Sequence, residues 1–155
     1  MSDQADKKRF NILKIYLKDA SFESPAAPAS FGIKQWDPKI DLNMTNSHSQ
    51  IGDDRFEAVL RITVTANQDD QTAFLIEIQQ AGLFEISGFS EDEHNYLLGS
   101  QCMNVLFPYV REQISDIAVR GGFPPLLLSP VNFDTLYQRH LQQRQEKSGE
   151  AQAAP

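Results

Sequence analysis

The chain has 155 residues, which is enough for one domain that buries a core without disulfides or a structural metal. Its 21 aspartate and glutamate residues outnumber 14 lysine and arginine residues, and the formal net charge of -7 argues against nucleic acid as a partner. Three features predict a cytoplasmic protein. The chain has a single cysteine, Cys102, its polar N-terminus lacks a signal-peptide core, and no apolar run approaches the roughly 20 residues of a membrane-spanning helix.

Four segments have the composition and alternation of β-strands. Residues 10 to 23 are apolar on both faces, which is typical of a strand covered on one side by a partner subunit. Uninterrupted alternation places Tyr16 on one face with Phe10 and Ile15 on the other with Leu17.

A loop with two prolines and Trp36 precedes the second strand, in which Ile40, Leu42 and Met44 share one face. Residues 55 to 66 and 72 to 84 also alternate, and the short polar turn between them predicts a hairpin.

From Ser90 onward the apolar period becomes helical. Ser90 and Glu93 are spaced as a capping box, Gly121 suits a left-handed helix end, and Pro108 should kink or break the helix between them. A second helix with one apolar stripe follows the uncharged linker GGFPPLLLSPVNF.

The order of the elements predicts an α+β fold, a four-stranded antiparallel sheet with two C-terminal helices on one face. We expect a flexible N-terminus over residues 1–9, one domain over residues 10–142, and a disordered tail over residues 143–155.

No residues are spaced for catalysis or metal binding. The three histidines stand alone, the acidic clusters suit solvated turns and a helix start, and Cys102 lies on an apolar helix face without a neighbouring base. We therefore expect no enzyme, no cofactor and no metal. An enzyme or small-ligand carrier assembled from distant residues stays open as a different class of function.

Two surfaces remain as candidates. Asp19 and Glu23 share their parity with Leu75 and Glu77, so an acidic patch forms if the first and last strands are neighbours; the alternative is an ordinary solvated sheet face. The second candidate is an apolar surface formed by the Trp36 loop, the second strand, the linker and the last helix. It is larger than two short helices easily cover, which indicates a groove; the alternative is an ordinary core.

These segments resemble the SecB family of bacterial protein-export chaperones. The matching motifs run in order over nearly all of the chain between Ile12 and Leu141: IYLKDASFESPAAP, the Trp36 loop, LRITVTA, TAFLIEIQQAGLF, NVLFPYVRE and RGGFPPLLLSPVNFDTLY. The FPY and SPVNF motifs are the most specific of them.

The resemblance implies a homotetramer built as a dimer of dimers, with long helices at its centre. Family members bind unfolded precursor proteins without hydrolysing ATP and deliver them to the SecA motor of the Sec export pathway. The client-binding groove would be lined by Trp36, Ile40, Leu42, Met44, Phe123, Leu126, Leu128, Tyr137 and Leu141. The sheet surface that receives the zinc-binding C-terminal segment of SecA would contain Asp19, Glu23, Leu75 and Glu77, and the zinc would belong to SecA.

A close alternative is a SecB-like chaperone dedicated to one client, such as an antitoxin. The chain also departs from the family pattern at its tail, which contains Arg144 and Lys147 where family tails are often strongly acidic. The resemblance therefore does not support a contact between the tail and SecA.

Overall fold

The computed structural model describes residues 7–32 and 34–153. Four strands, β1 (Arg9–Glu23), β2 (Lys39–Gly52), β3 (Arg55–Gln68) and β4 (Gln71–Ser87), form one antiparallel sheet in the order β1-β4-β3-β2. Helix α1 (Glu91–Tyr96) continues through a π-helical turn (Leu97–Gln101) into α2 (Cys102–Arg120), and α3 (Phe133–Ala153) follows the linker. The predicted α+β architecture is confirmed.

The core lies between one face of the sheet and α2. Even-numbered residues of the two central strands point toward the helix, because successive side chains of a strand alternate between faces. Among the fully buried side chains are Leu60, Ile62, Val64, Phe74, Ile76, Ile78 and Phe84 from the sheet and Leu106, Val110 and Ile114 from α2. Among the described residues, no helix packs on the opposite face of the sheet.

Two β-bulges in β1 change which of its side chains face the core. The register shifts between Ile12 and Lys14 and again between Leu17 and Asp19. As a result Ile15 packs against the core, whereas Tyr16 lies on the opposite face and donates a hydrogen bond to Glu57. The predicted faces of Ile15 and Tyr16 are therefore wrong, since the extra residue of a bulge reverses the alternation beyond it.

The C-terminal end of α2 departs from the prediction by one residue. Gly122, with φ 91°, takes the left-handed conformation, while Gly121 has φ -76°. The Phe123 N–H donates to the Ala118 carbonyl and the Gly122 N–H to the Val119 carbonyl, which is the Schellman pattern. Helix α2 is not broken at Pro108, because the packing of its buried face outweighs the single hydrogen bond that proline cannot donate.

The chain is helical beyond the predicted end of the domain. Helix α3 extends to Ala153, whereas residues 143–155 were expected to be disordered. Gln, Arg, Glu, Lys and Ala dominate this stretch, and their high helix propensity favours continuation of the helix. Arg9 already belongs to β1, while residues 1–6 and 154–155 of the predicted flexible ends lie outside the described residues. No helix in the described part of the chain is long and apolar enough to cross a membrane.

Candidate binding surfaces

A small apolar cavity lies between the loop before β2 and the linker before α3. Its volume is about 250 Å³, and its walls come from Trp36 and Pro38 of the loop, Ile40 of β2, Phe74 of β4, and the linker residues Pro124, Pro125 and Leu126. The linker is extended: Leu126 and Leu128 are half-buried, whereas Leu127 between them is 76% exposed. The uncharged linker therefore supplies one wall of an open apolar site.

Hydrogen bonds hold the loop that carries Trp36. The Gln68 side chain accepts from the Asp37 N–H at 3.1 Å and donates to the Gln35 carbonyl at 2.6 Å. The Trp36 ring packs against Phe123, with ring centroids 5.2 Å apart. The indole therefore sits on a fixed platform at the cavity.

Phe123 supports this cavity from below. Its side chain is only 6% exposed, and its ring lies within 5.3 Å of the ring centroids of Phe31, Trp36 and Phe74. The predicted groove residue is thus a core residue that holds the wall in place.

The face of β2 continues the apolar surface along the sheet edge. Leu42 pairs with Val64 and Met44 with Ile62, so both lie on the helix side of the sheet, as Ile40 does. Leu42 is exposed and Met44 is half-buried. The structure therefore brings Trp36, Ile40 and Leu126 together and leaves Leu42 and Met44 beside them.

Helix α3 is anchored on the π-helical turn. A Cβ atom on Gly99 would lie 2.7 Å from the Tyr137 ring, so the glycine permits the close approach of the two helices. Asp134 accepts hydrogen bonds from the hydroxyls of Tyr96, at 2.8 Å, and of Ser100. Tyr137 and Leu141 are half-buried, but neither is among the residues that line the cavity at Trp36.

Acid should weaken the anchor of α3. Hydrogen bonds from Ser100 and Tyr96 hold the pKa of the Asp134 carboxyl below its usual range. The contribution of Asp134 to stability is therefore complete above its pKa in the unfolded chain and is lost as pH falls through its pKa in the folded protein. We expect Asp134→Asn to lower Tm at pH 7 and the difference from wild type to shrink as the pH falls below the usual pKa of an aspartate. Asp53→Asn, in an exposed turn, is the control. A difference that stayed constant over this range would contradict the assigned role.

The four residues of the predicted acidic patch lie on the open face of the sheet, the face opposite the core. In the pairing of β1 with β4, Glu23 lies opposite Leu75, Ser21 opposite Glu77, and Asp19 opposite Gln79. All lie on the face without helices, since even-numbered residues of β4 fill the core. The two strands are neighbours, which is the condition that the patch required.

A guanidinium enters this patch from β3. Arg61 Nη2 lies 2.6 Å from Glu77 Oε1. Alternation and the predicted hairpin place Arg61 and Glu77 on the same face of neighbouring strands, but their contact is diagonal and depends on the exact register. Sequence reasoning missed it for that reason.

Similarity to known proteins decides the family. The family model described as "Preprotein translocase subunit SecB" matches residues 3–144. The chain belongs to the SecB family of protein-export chaperones. It is 47% identical over 146 residues to "Protein-export protein SecB" of Methylococcus capsulatus, covering 94% of each chain. It is 50% identical over 145 residues to the protein of the same name from Nitrosococcus oceani, covering 93% of this chain and 88% of that one.

A solved structure shares the fold. A SecB-like chaperone of Mycobacterium tuberculosis, in complex with a peptide from an antitoxin, superposes with a TM-score of 0.67 at 22% identity, covering 79% of this chain and 91% of that chain. The SecB family is a family of chaperones, which bind client polypeptides, and it is not a family of enzymes.

Several ionisable groups of this SecB-family chain have pKa values that are shifted by their surroundings. Burial raises the pKa of the Cys102 thiol to about 12, which keeps it protonated and unreactive at neutral pH. Burial and the hydrogen bond to Glu57 raise the pKa of Tyr16 to about 12, while the Lys18 and Tyr16 hydrogen bonds lower the pKa of Glu57. Among the described residues, no three His, Cys, Asp or Glu side chains meet to hold a metal ion.

Proposed function

We propose that this SecB-family chaperone holds unfolded precursor proteins in the cytoplasm through the cavity at Trp36, without catalysing a reaction or using a cofactor. The observation that carries the proposal is an apolar cavity whose walls are fixed while its mouth is open. Apolar burial is non-directional and contributes about 25 cal/mol per Å² removed from water. Such a site accepts many sequences, as an unfolded client population requires.

Refolding kinetics test the proposal. The purified protein should slow the refolding, and suppress the aggregation, of a destabilised precursor in the absence of nucleotide. A precursor that refolded and aggregated at the same rate with and without the chaperone, at every salt concentration, would refute it.

The binding surface that we propose has a centre and extensions. Trp36, Ile40 and Leu126 form the centre, and Leu42 and Met44 extend it along β2. Tyr137 and Leu141 of α3 offer a second contact for a long chain. Phe123 acts from below, because it belongs to the buried core, and the half-buried Leu128 offers a further contact along the linker.

The assembly that we propose is a homotetramer, a dimer of dimers. Support comes from β1, an edge strand on which Ile12 is 51% and Leu17 50% exposed, since unpaired apolar edges invite a partner strand. Tyr109 and Val119 give α2 a further exposed apolar surface. Several weak client sites on one tetramer would bind a long chain with avidity.

The partner that we propose for the sheet face is the zinc-binding C-terminal segment of SecA. On this face Glu23 lies opposite Leu75, Glu77 follows two residues along β4, and Asp19 lies opposite Gln79, so the three acids would receive basic side chains beside one apolar contact. The zinc would belong to SecA. Four subunits, each with a formal charge of -7, would attract a basic segment more strongly at low salt.

Charge reversal at Glu77 should separate the two surfaces. We expect Glu77→Lys to weaken binding of the SecA segment at least tenfold, because it replaces an attractive charge with a repulsive one at the centre of the patch. Client binding should be unchanged, since the cavity at Trp36 lies on the other side of the sheet. Calorimetry with each ligand measures both.

Glu85→Lys, the same charge change at the other end of β4, is the matched control. Equal loss of client and SecA binding in Glu77→Lys would show that the surfaces are not separate.

The alternative of a chaperone dedicated to one client, such as an antitoxin, is not favoured. The relatives that cover nearly all of the chain are named protein-export proteins. The solved structure with the antitoxin peptide is 22% identical and supports the fold alone. Recovery of bound chains from cells should therefore give many species rather than one.

A further inference from the structure

We infer that Arg61 limits docking at the sheet face, because it holds Glu77 in an internal ion pair that a basic docking segment has to displace. This inference rests on the docking role proposed above and adds a residue that sets its strength.

The strand register places Arg61 where it can reach Glu77. Thr63 of β3, Glu77 of β4 and Ser21 of β1 lie side by side in one row across the sheet. Arg61 lies in the adjacent row, opposite Gln79, and a long side chain spans such a diagonal. The resulting ion pair is 2.6 Å long.

Arg61 also covers the carboxylate that it contacts. Its side chain is 50% exposed, whereas that of Glu77 is 25% exposed. A partner cation approaching from solvent therefore meets the guanidinium before it can contact Glu77 closely. Since the guanidinium sits at the surface, it can swing away without unfolding the strand.

The other two carboxylates of the patch are differently placed. Asp19 and Glu23 belong to none of the ion pairs found in the described part of the chain. The patch thus presents two acids for immediate attraction, and a third that is neutralised until the partner replaces Arg61.

The size of the effect follows from the exposure of the pair. An exposed ion pair is weak, so its removal should tighten binding of a competing cation by about two- to fivefold. The gain should fade with salt, which screens charges at the surface. A modest internal competitor of this kind favours docking that is reversible.

The test uses calorimetric titration of the full assembly with a synthetic zinc-loaded C-terminal segment of SecA, at about 0.05 M and about 0.5 M salt. Arg61→Gln removes the competing charge, and Arg61→Lys keeps it. Arg144→Gln changes the net charge equally on α3, on the helix side of the sheet, and is the matched control.

We expect Arg61→Gln to bind about two- to fivefold more tightly than wild type at low salt, and Arg61→Lys and Arg144→Gln to bind as wild type does. Unchanged or weaker binding by Arg61→Gln, or an equal gain in Arg144→Gln, would overturn the inference alone. If neither wild type nor any variant bound the segment, the docking proposal would fall and this inference with it.

Discussion

Replacing Phe123 with alanine should lower the free energy of unfolding by about 3 to 5 kcal/mol, the usual cost of removing a buried phenylalanine ring. The ring is 6% exposed and contacts the rings of Phe31, Trp36 and Phe74. Its loss leaves a void beneath the Trp36 loop that the fixed linker cannot fill. Denaturant unfolding at one fixed protein concentration measures the change, since assembly also contributes to stability.

Leu127→Ala is the control, because Leu127 is 76% exposed and lies in the same linker. It should change stability by less than about 0.5 kcal/mol. If Phe123→Ala cost less than about 1 kcal/mol, Phe123 would be a surface residue of the groove, as the sequence had suggested, and the aromatic cluster would not support the cavity.

Leu126→Asp should weaken client binding by about ten- to a hundredfold while the fold is kept. Leu126 lines the cavity and is half-buried, so a client side chain that covers it gains about 1.5 to 3 kcal/mol of apolar burial. A carboxylate at this position has to be desolvated instead, which opposes binding. Affinity for an unfolded precursor, with light scattering to confirm the assembly, gives the result.

Leu127→Asp provides the matched control, because the same change is made one residue away at a side chain that points to solvent. Its affinity for the client should remain near that of wild type. Equal weakening by both variants would indicate a general effect of negative charge, and a collapsed Leu126→Asp protein would indicate that the cavity wall is part of the core.

Local sequence patterns, such as strand alternation and capping-box spacing, correctly predicted the regular parts of the fold. The alternation of β3 and β4 identified their buried faces, because both strands are regular between their turns. The capping box at Ser90 and Glu93 was predicted from spacing and is present with both of its hydrogen bonds.

Prediction failed where one extra residue or a tertiary contact decides the outcome. The first bulge of β1 reverses its alternation and the second restores it, and nothing in a single sequence marks either. The left-handed residue proved to be Gly122 rather than Gly121, since either glycine can adopt that conformation. Of the kink or break predicted at Pro108, the break does not occur, because packing of the buried helix face compensates for the missing hydrogen bond.

The residues of the site could be predicted from the sequence, but the depth at which each of them lies could not. Trp36, Ile40 and Leu126 could be assigned to an apolar surface, but the sequence does not show that Phe123 lies beneath them. The Arg61 ion pair was not predicted because Glu77 is a diagonal neighbour of Arg61, and that contact depends on the exact register of β3 and β4.

Trp36 is the only tryptophan in the chain, so its fluorescence reports directly on client binding at the cavity. Its indole lines the cavity, so binding of an unfolded client that lacks tryptophan should change its emission wavelength and protect it from a soluble quencher, saturably with client concentration. The same client in its folded form should have no effect. If light scattering showed that an unfolded client bound the chaperone without changing the emission or accessibility of Trp36, clients would be held elsewhere and the cavity at Trp36 would not be the binding site.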